Sequence, residues 1–175
     1  MTGILRRIFE DERELPFLLI GGHAVILHGH SRSTFDLDLM VPEESLKEWE
    51  SFLVEMGMKE FHRSDAFIQF EGSGDQQPVD LMVVSATTFA KLRKGSELRI
   101  MDKNEVRIPS AMHLVALKLH ATRQEKRSRK DQDWSDIIGL IRSCDLDLGD
   151  ETFHAIIKRY GGPEAETEIR KRLDQ

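Results

Sequence analysis

The sequence predicts an α/β (α+β) fold: a strand-and-helix core over residues 1–109, followed by a helical lobe over residues 110–175. Three observations carry this. Apolar runs at Phe17–Ile20, Ala66–Phe70 and Val79–Val84 are bounded by glycine, proline and polar turns, as strands are. Apolar residues elsewhere recur every three or four positions, as at Leu46, Trp49, Leu53 and Met56, the stripe of a helix. Beyond Pro109 only the helical period remains.

In chain order, residues 3–13 suit a short amphipathic helix with Ile4, Leu5 and Ile8 on one side. The strand at 17–20 runs into Gly21-Gly22, where the backbone can turn tightly and approach a ligand with no Cβ in the way. Placed before a helix, the pair suits a phosphate, although an ordinary strand-to-helix turn explains it equally. A polar loop, Ser31–Thr34, leads to a strand carrying Asp36 and Asp38. Side chains at i and i+2 on a strand share a face, which sets two carboxylates about 6–7 Å apart. Like charges so placed call for a cation, and the usual one is a divalent ion with oxygen ligands.

Pro42 suits a first helical position, opening the helix that ends near Gly57, with Trp49 as core. Asp80 is the one charge in the strand VDLMVV; on its own it reads as a strand-end aspartate held by a turn. Ser85 and Gly95 bracket a short helix, and residues 98–101 and 106–108 form a hairpin across Asp102-Lys103-Asn104. Ser110 caps a helix that is apolar nearly all round, so it is buried, with Lys118 as its one formal charge. That lysine must either snorkel or find an anion. Trp134, Ile137, Ile138 and Ile141 form the next stripe, opened by Lys130, Asp131, Asp133 and Asp136; acids at a helix start also suit its dipole. Further helices follow around Phe153–Tyr160 and after Pro163. His23, His28 and His30 are spaced five and two apart, which aligns no pair on a helix face for metal binding.

The 175 residues, 39% hydrophobic and 32% charged, are those of a globular chain rather than a disordered one. The single cysteine, Cys144, suits a reducing cytoplasm. No apolar run approaches a membrane span, and residues 1–7 lack the core of a signal peptide, so a cytoplasmic protein with no membrane partner is expected. A net charge of −6 argues against non-specific coating of nucleic acid. From Lys118 to Lys130, however, six basic residues face Glu125 alone. This run is either a solvated helix face or a contact for a polyanionic acceptor such as tRNA.

The ordered set Gly21, Gly22, Arg32, Thr34, Asp36 and Asp38 resembles the nucleotidyltransferase superfamily that includes DNA polymerase beta. Within it, the set resembles the small bacterial abortive-infection (type IV toxin) nucleotidyltransferases. Gly-Gly stands where Gly-Ser is commoner, so a serine contact to the triphosphate is missing. The resemblance is firm over residues 17–85, softer over 105–140 and absent after about residue 145. It implies a small mixed sheet with helices, and transfer of a nucleoside monophosphate from a triphosphate such as ATP to an acceptor hydroxyl. It implies two Mg²⁺ ions on Asp36, Asp38 and Asp80, and triphosphate contacts from Gly21, Gly22, Arg32, Thr34 and Lys118. Asp133 and Asp136 follow as weaker members of the site. The acceptor implied by the toxin branch is RNA or protein, with an antitoxin as candidate partner. The alternatives are a small-molecule transferase of the antibiotic-modifying kind, and a degenerate module that binds nucleotide or partner without catalysis.

Overall fold

The computed structural model describes residues 3–124 and 128–174, which form two compact units. The first comprises residues 3–24 and 32–109, and the second residues 25–31 and 110–174.

The first unit is built on a five-stranded sheet of order β1-β2-β5-β4-β3: β1 (Leu18–Leu19), β2 (Leu37–Pro42), β3 (Lys59–Arg63), β4 (Phe67–Glu71) and β5 (Val79–Val84). Only β2 and β5 run parallel, so the sheet is mixed. Leu37, Leu39, Val41, Val79 and Leu81 are fully buried, and this apolar set pins the register. Helix α1 (Gly3–Glu10) buries Ile4, Leu5 and Ile8. Helix α2 (Gly21–Leu27) opens at the two glycines, and α3 (Leu46–Glu55) buries Trp49, Phe52 and Leu53. Trp49 is core: its indole N–H donates to Pro16 O at 3.2 Å, and Phe17 and Phe52 meet its ring edge-to-face at 5.9 and 6.0 Å. Ser85 caps α4 (Ala86–Lys94) by accepting from the Thr88 N–H. A separate hairpin joins β6 (Glu97–Met101) to β7 (Asn104–Ile108) through Asp102 and Lys103, both at positive φ, as a two-residue turn of this hand requires.

Three local expectations are corrected. Pro42 closes β2 instead of opening a helix; a short 3₁₀ turn, Glu43–Ser45, precedes α3. Asp36 stands in a bend one residue before β2, because pairing starts where the Leu37 N–H donates to Pro78 O at 2.9 Å. Strand β3 was not expected: KEFHR has no apolar alternation, since every one of its residues is exposed on the sheet edge.

The second unit is helical: α5 (Ala111–Thr122), α6 (Lys130–Ser143), α7 (Glu151–Gly161) and α8 (Ala165–Leu173). Ser110 and Asp150 cap α5 and α7 through the N–H groups of His113 and Phe153. The core holds Leu114, Val115, Leu119, Ile137, Leu140, Phe153, Ile157 and Ile169. No helix among the described residues is long and apolar enough to cross a membrane.

Candidate functional site

The chain delivers two aspartates to one place by sheet register. Asp38 and Asp80 are Cα partners on the parallel strands β2 and β5. Their neighbours Leu37, Val79, Leu39 and Leu81 are buried, whereas both aspartates are half-buried, so the two carboxylates share the other face. The Gln69 amide from β4 donates to Asp80 Oδ2 at 2.8 Å, across from its Cα partner.

The glycines sit against this pair and against the loop that leads to it. The Ile20 N–H donates to Asp38 O at 3.0 Å, which carries β1 directly to the turn. Gly21 has φ +61°, and a Cβ there would lie 1.9 Å from Asp38 Oδ2, so only glycine fits on both counts. A Cβ on Gly22 would come within 2.4 Å of Thr34 Oγ1 and 3.1 Å of Arg32 Cζ. Gly21, Gly22, Arg32, Thr34 and Asp38 are therefore one contiguous cluster, with Asp80 beside Asp38 and Asp36 at the mouth of β2. Among the described residues, no three or more His, Cys, Asp or Glu side chains are gathered as a metal-holding group.

His23 stands at the edge of this cluster. Burial, and then the Arg32 guanidinium, hold its imidazole below the usual range, while Asp102 and Asp36 pull the other way. Its Nε2 lies 3.2 Å from the carboxamide nitrogen of Gln77, which also donates to Phe35 O. Sequence reasoning passed over Gln77, which sits in the polar loop before β5 with no pattern to mark it.

In the second unit, Lys118 has found its anion. Its ammonium lies 2.7 Å from Asp136 Oδ2 and 3.1 Å from Asp133 Oδ1, and those two aspartates are 0% and 1% exposed. Gln132 donates to Asp136 Oδ1 at 3.0 Å. The lysine thus neither snorkels nor belongs to a basic surface. Of the rest of the basic run, Lys126 and Arg127 lie outside the described residues. A cleft of about 500 Å³ on this unit is lined by His30, Trp134, Arg142 and Arg172. Both guanidiniums are already used there: Arg142 donates to Leu173 O, and Arg172 pairs with Glu168 and covers the Trp134 ring.

No protein-family model matches the sequence, and no curated protein matches it. Solved structures do. ANT(2'')-Ia in complex with adenylyl-2''-tobramycin is 19% identical with a TM-score of 0.67, over 98% of this chain and 97% of that one. The solution structure of the same antibiotic-resistance factor gives 20% identity and a TM-score of 0.69, covering 98% and 96%. The lincosamide antibiotic adenylyltransferase LnuA, lincomycin-bound, is 12% identical with a TM-score of 0.56, over 78% of this chain and 91% of that one. The Megavirus polyadenylate synthase aligns with 86% of this chain and 33% of its own, at 14% identity and a TM-score of 0.57. The chain has a nucleotidyltransferase-like α/β fold, with a mixed five-stranded sheet and a small two-stranded one.

Proposed function

We propose that the protein is a nucleotidyltransferase that moves a nucleoside monophosphate from a nucleoside triphosphate to an acceptor hydroxyl. The observation that carries this is the in-register pair Asp38 and Asp80, with the missing Cβ of Gly21 leaving room at Asp38 Oδ2. An all-oxygen donor set fits Mg²⁺ and not a softer metal. Asp36, Asp38 and Asp80 would hold it. When bound, magnesium supplies neutralising charge for the triphosphate and lowers the pKa of the attacking hydroxyl.

The chain's own residues do the rest. Gly21 and Gly22 let Asp38, Thr34 and Arg32 pack against the turn, where Arg32 and Thr34 neutralise and orient the triphosphate bound beside the glycines. The acceptor oxygen forms a bond to the α-phosphorus, the bond to the departing pyrophosphate breaks, and the hydroxyl proton passes to Asp80, whose Oδ2 is steadied by Gln69. Lys118 is assigned to Asp133 and Asp136, not to phosphate, because its ammonium is already held by both.

For the acceptor, a small hydroxyl compound has more support than RNA or protein. The likeness to ANT(2'')-Ia spans both units, and Lys118 is withdrawn from the basic run that pointed to a polyanion. The test is incubation with each labelled triphosphate and Mg²⁺ against small hydroxyl compounds, total RNA and cell protein. Label on a small compound is the expected result. Label on RNA or protein would replace this acceptor assignment, and label on nothing, with no pyrophosphate released, would overturn the function.

A further inference from the structure

We propose that Gln77 is a positioning residue for this site. Its single carboxamide would hold the Phe35 carbonyl and the His23 imidazole, and so set where Asp36 and the Gly21–Gly22 turn stand beside Asp80. The inference rests on the proposed function.

Three separate segments meet at this side chain. Gln77 itself precedes β5 by two residues and Asp80 by three; Phe35 directly precedes Asp36; His23 directly follows the glycine pair. The carboxamide nitrogen donates to Phe35 O and lies 3.2 Å from His23 Nε2. An NH₂ group has two hydrogens, one for each. Which end of the amide faces the carbonyl is settled by chemistry, since turned over it would set oxygen against oxygen. The same reasoning fixes the imidazole: Nε2 accepts, so its proton is on Nδ1.

Gln77 is 6% exposed, and its Oε1 is buried with no hydrogen-bond partner among the described residues. An unpaired buried acceptor is costly, and an apolar side chain of similar shape would avoid it. A glutamine here is therefore explained by its two donors. Backbone pairing alone does not replace them: the Leu37 N–H to Pro78 O bond secures the strand after Asp36, whereas the Gln77 bond secures the residue before it.

The test compares wild type with Gln77→Leu, and uses Gln76→Leu, a neighbouring amide that reaches Met56 O instead, as control. Gln77→Met, which keeps the length, serves if the leucine variant does not fold. In EDTA, imidazole ¹⁵N spectra should show His23 as the single Nδ1–H tautomer in wild type and in the control, and as a mixture in Gln77→Leu. In a magnesium titration followed by melting temperature, the Gln77 variant should need about tenfold more Mg²⁺ for half its stabilisation, the scale of lost outer-shell support. Adding Gln77→Leu to Asp36→Asn should move that midpoint less than it does in wild type, because one of the two groups it positions is already gone. An unchanged magnesium midpoint in Gln77→Leu overturns the positioning role while leaving the proposed function intact. A wild type that neither responds to Mg²⁺ nor transfers nucleotide overturns both, and the imidazole spectrum then still reports whether the carboxamide bond exists.

Discussion

Two pairs of aspartates, one in each unit, differ in burial and in the elements that bring them together. Asp133 and Asp136 are buried in the helical unit around the ammonium of Lys118, at 3.1 and 2.7 Å. Asp38 and Asp80 are half-buried on a sheet face, side by side through strand register, with the Asp38 carboxylate packed where a Cβ on residue 21 would stand. The first arrangement carries its own cation, and its two carboxylates are buried. The second lies half-buried on the sheet, where the Gln69 amide donates to Asp80. Carboxylates that fold around a lysine hold a structure together, whereas carboxylates aligned on an open sheet face can receive a cation from solution.

The comparison breaks first if the two pairs respond alike to substitution. Asp38→Asn should lower nucleotidyl transfer by about ten-thousandfold, or roughly 5 kcal/mol of transition-state stabilisation, with the fold retained. Steady-state turnover beside a melting curve decides it, and wild-type turnover would end the assignment.

Lys118→Met should act the other way. Removing the ammonium takes away the cation that the two buried carboxylates share, which costs on the order of 3–5 kcal/mol of stability. Treated as a snorkelling or phosphate-bound side chain, Lys118 would be dispensable for folding; chemical denaturation of the variant separates these. Double replacement with Asp133→Asn should recover part of the loss.

Magnesium sharpens the contrast at a smaller scale. Under the proposed function it would bind only the assembled first site, so tenfold excess over Kd should stabilise wild type by about 1.4 kcal/mol. That is roughly 3–6 °C in melting temperature for a chain of this length. Asp38→Asn removes a repelling charge and a ligand together, so it should melt above wild type in EDTA yet gain little from Mg²⁺. Parallel curves for the two proteins would sink the metal site.

The smallest effect concerns His23. Burial and the nearby Arg32 hold its imidazole below the ordinary 6.5 in the folded protein, so the neutral form is the one the fold accepts. Its contribution is complete above pH 6.5 and is lost as pH falls from there through the lowered native value, because the unfolded chain binds the proton first. His23→Gln should flatten the stability profile in that window. A profile identical to wild type would show that the imidazole is not protected by burial.

Much of the fold is legible in the amino-acid order alone. The apolar runs of β4 and β5, the stripe of α3 and the serine caps of α4 and α5 each record burial or hydrogen bonding along one continuous element. The ordered glycines, arginine, threonine and aspartates likewise mark the candidate site, because most of them fall within a single strand-turn-helix-strand run. Tertiary structure decided what depends on elements far apart in the chain. Strand β3 has no apolar period because nothing covers it, and it exists through its pairing with β4. Asp80 meets Asp38 only through the register of β2 and β5, forty-odd residues apart in sequence. The partner of Lys118 comes from the next helix, and Gln77 gains its two bonds from residues 42 and 54 positions away. Periodicity reports whether a side chain is covered; only the folded chain determines which group covers it, since that depends on register and approach between segments that share no local pattern.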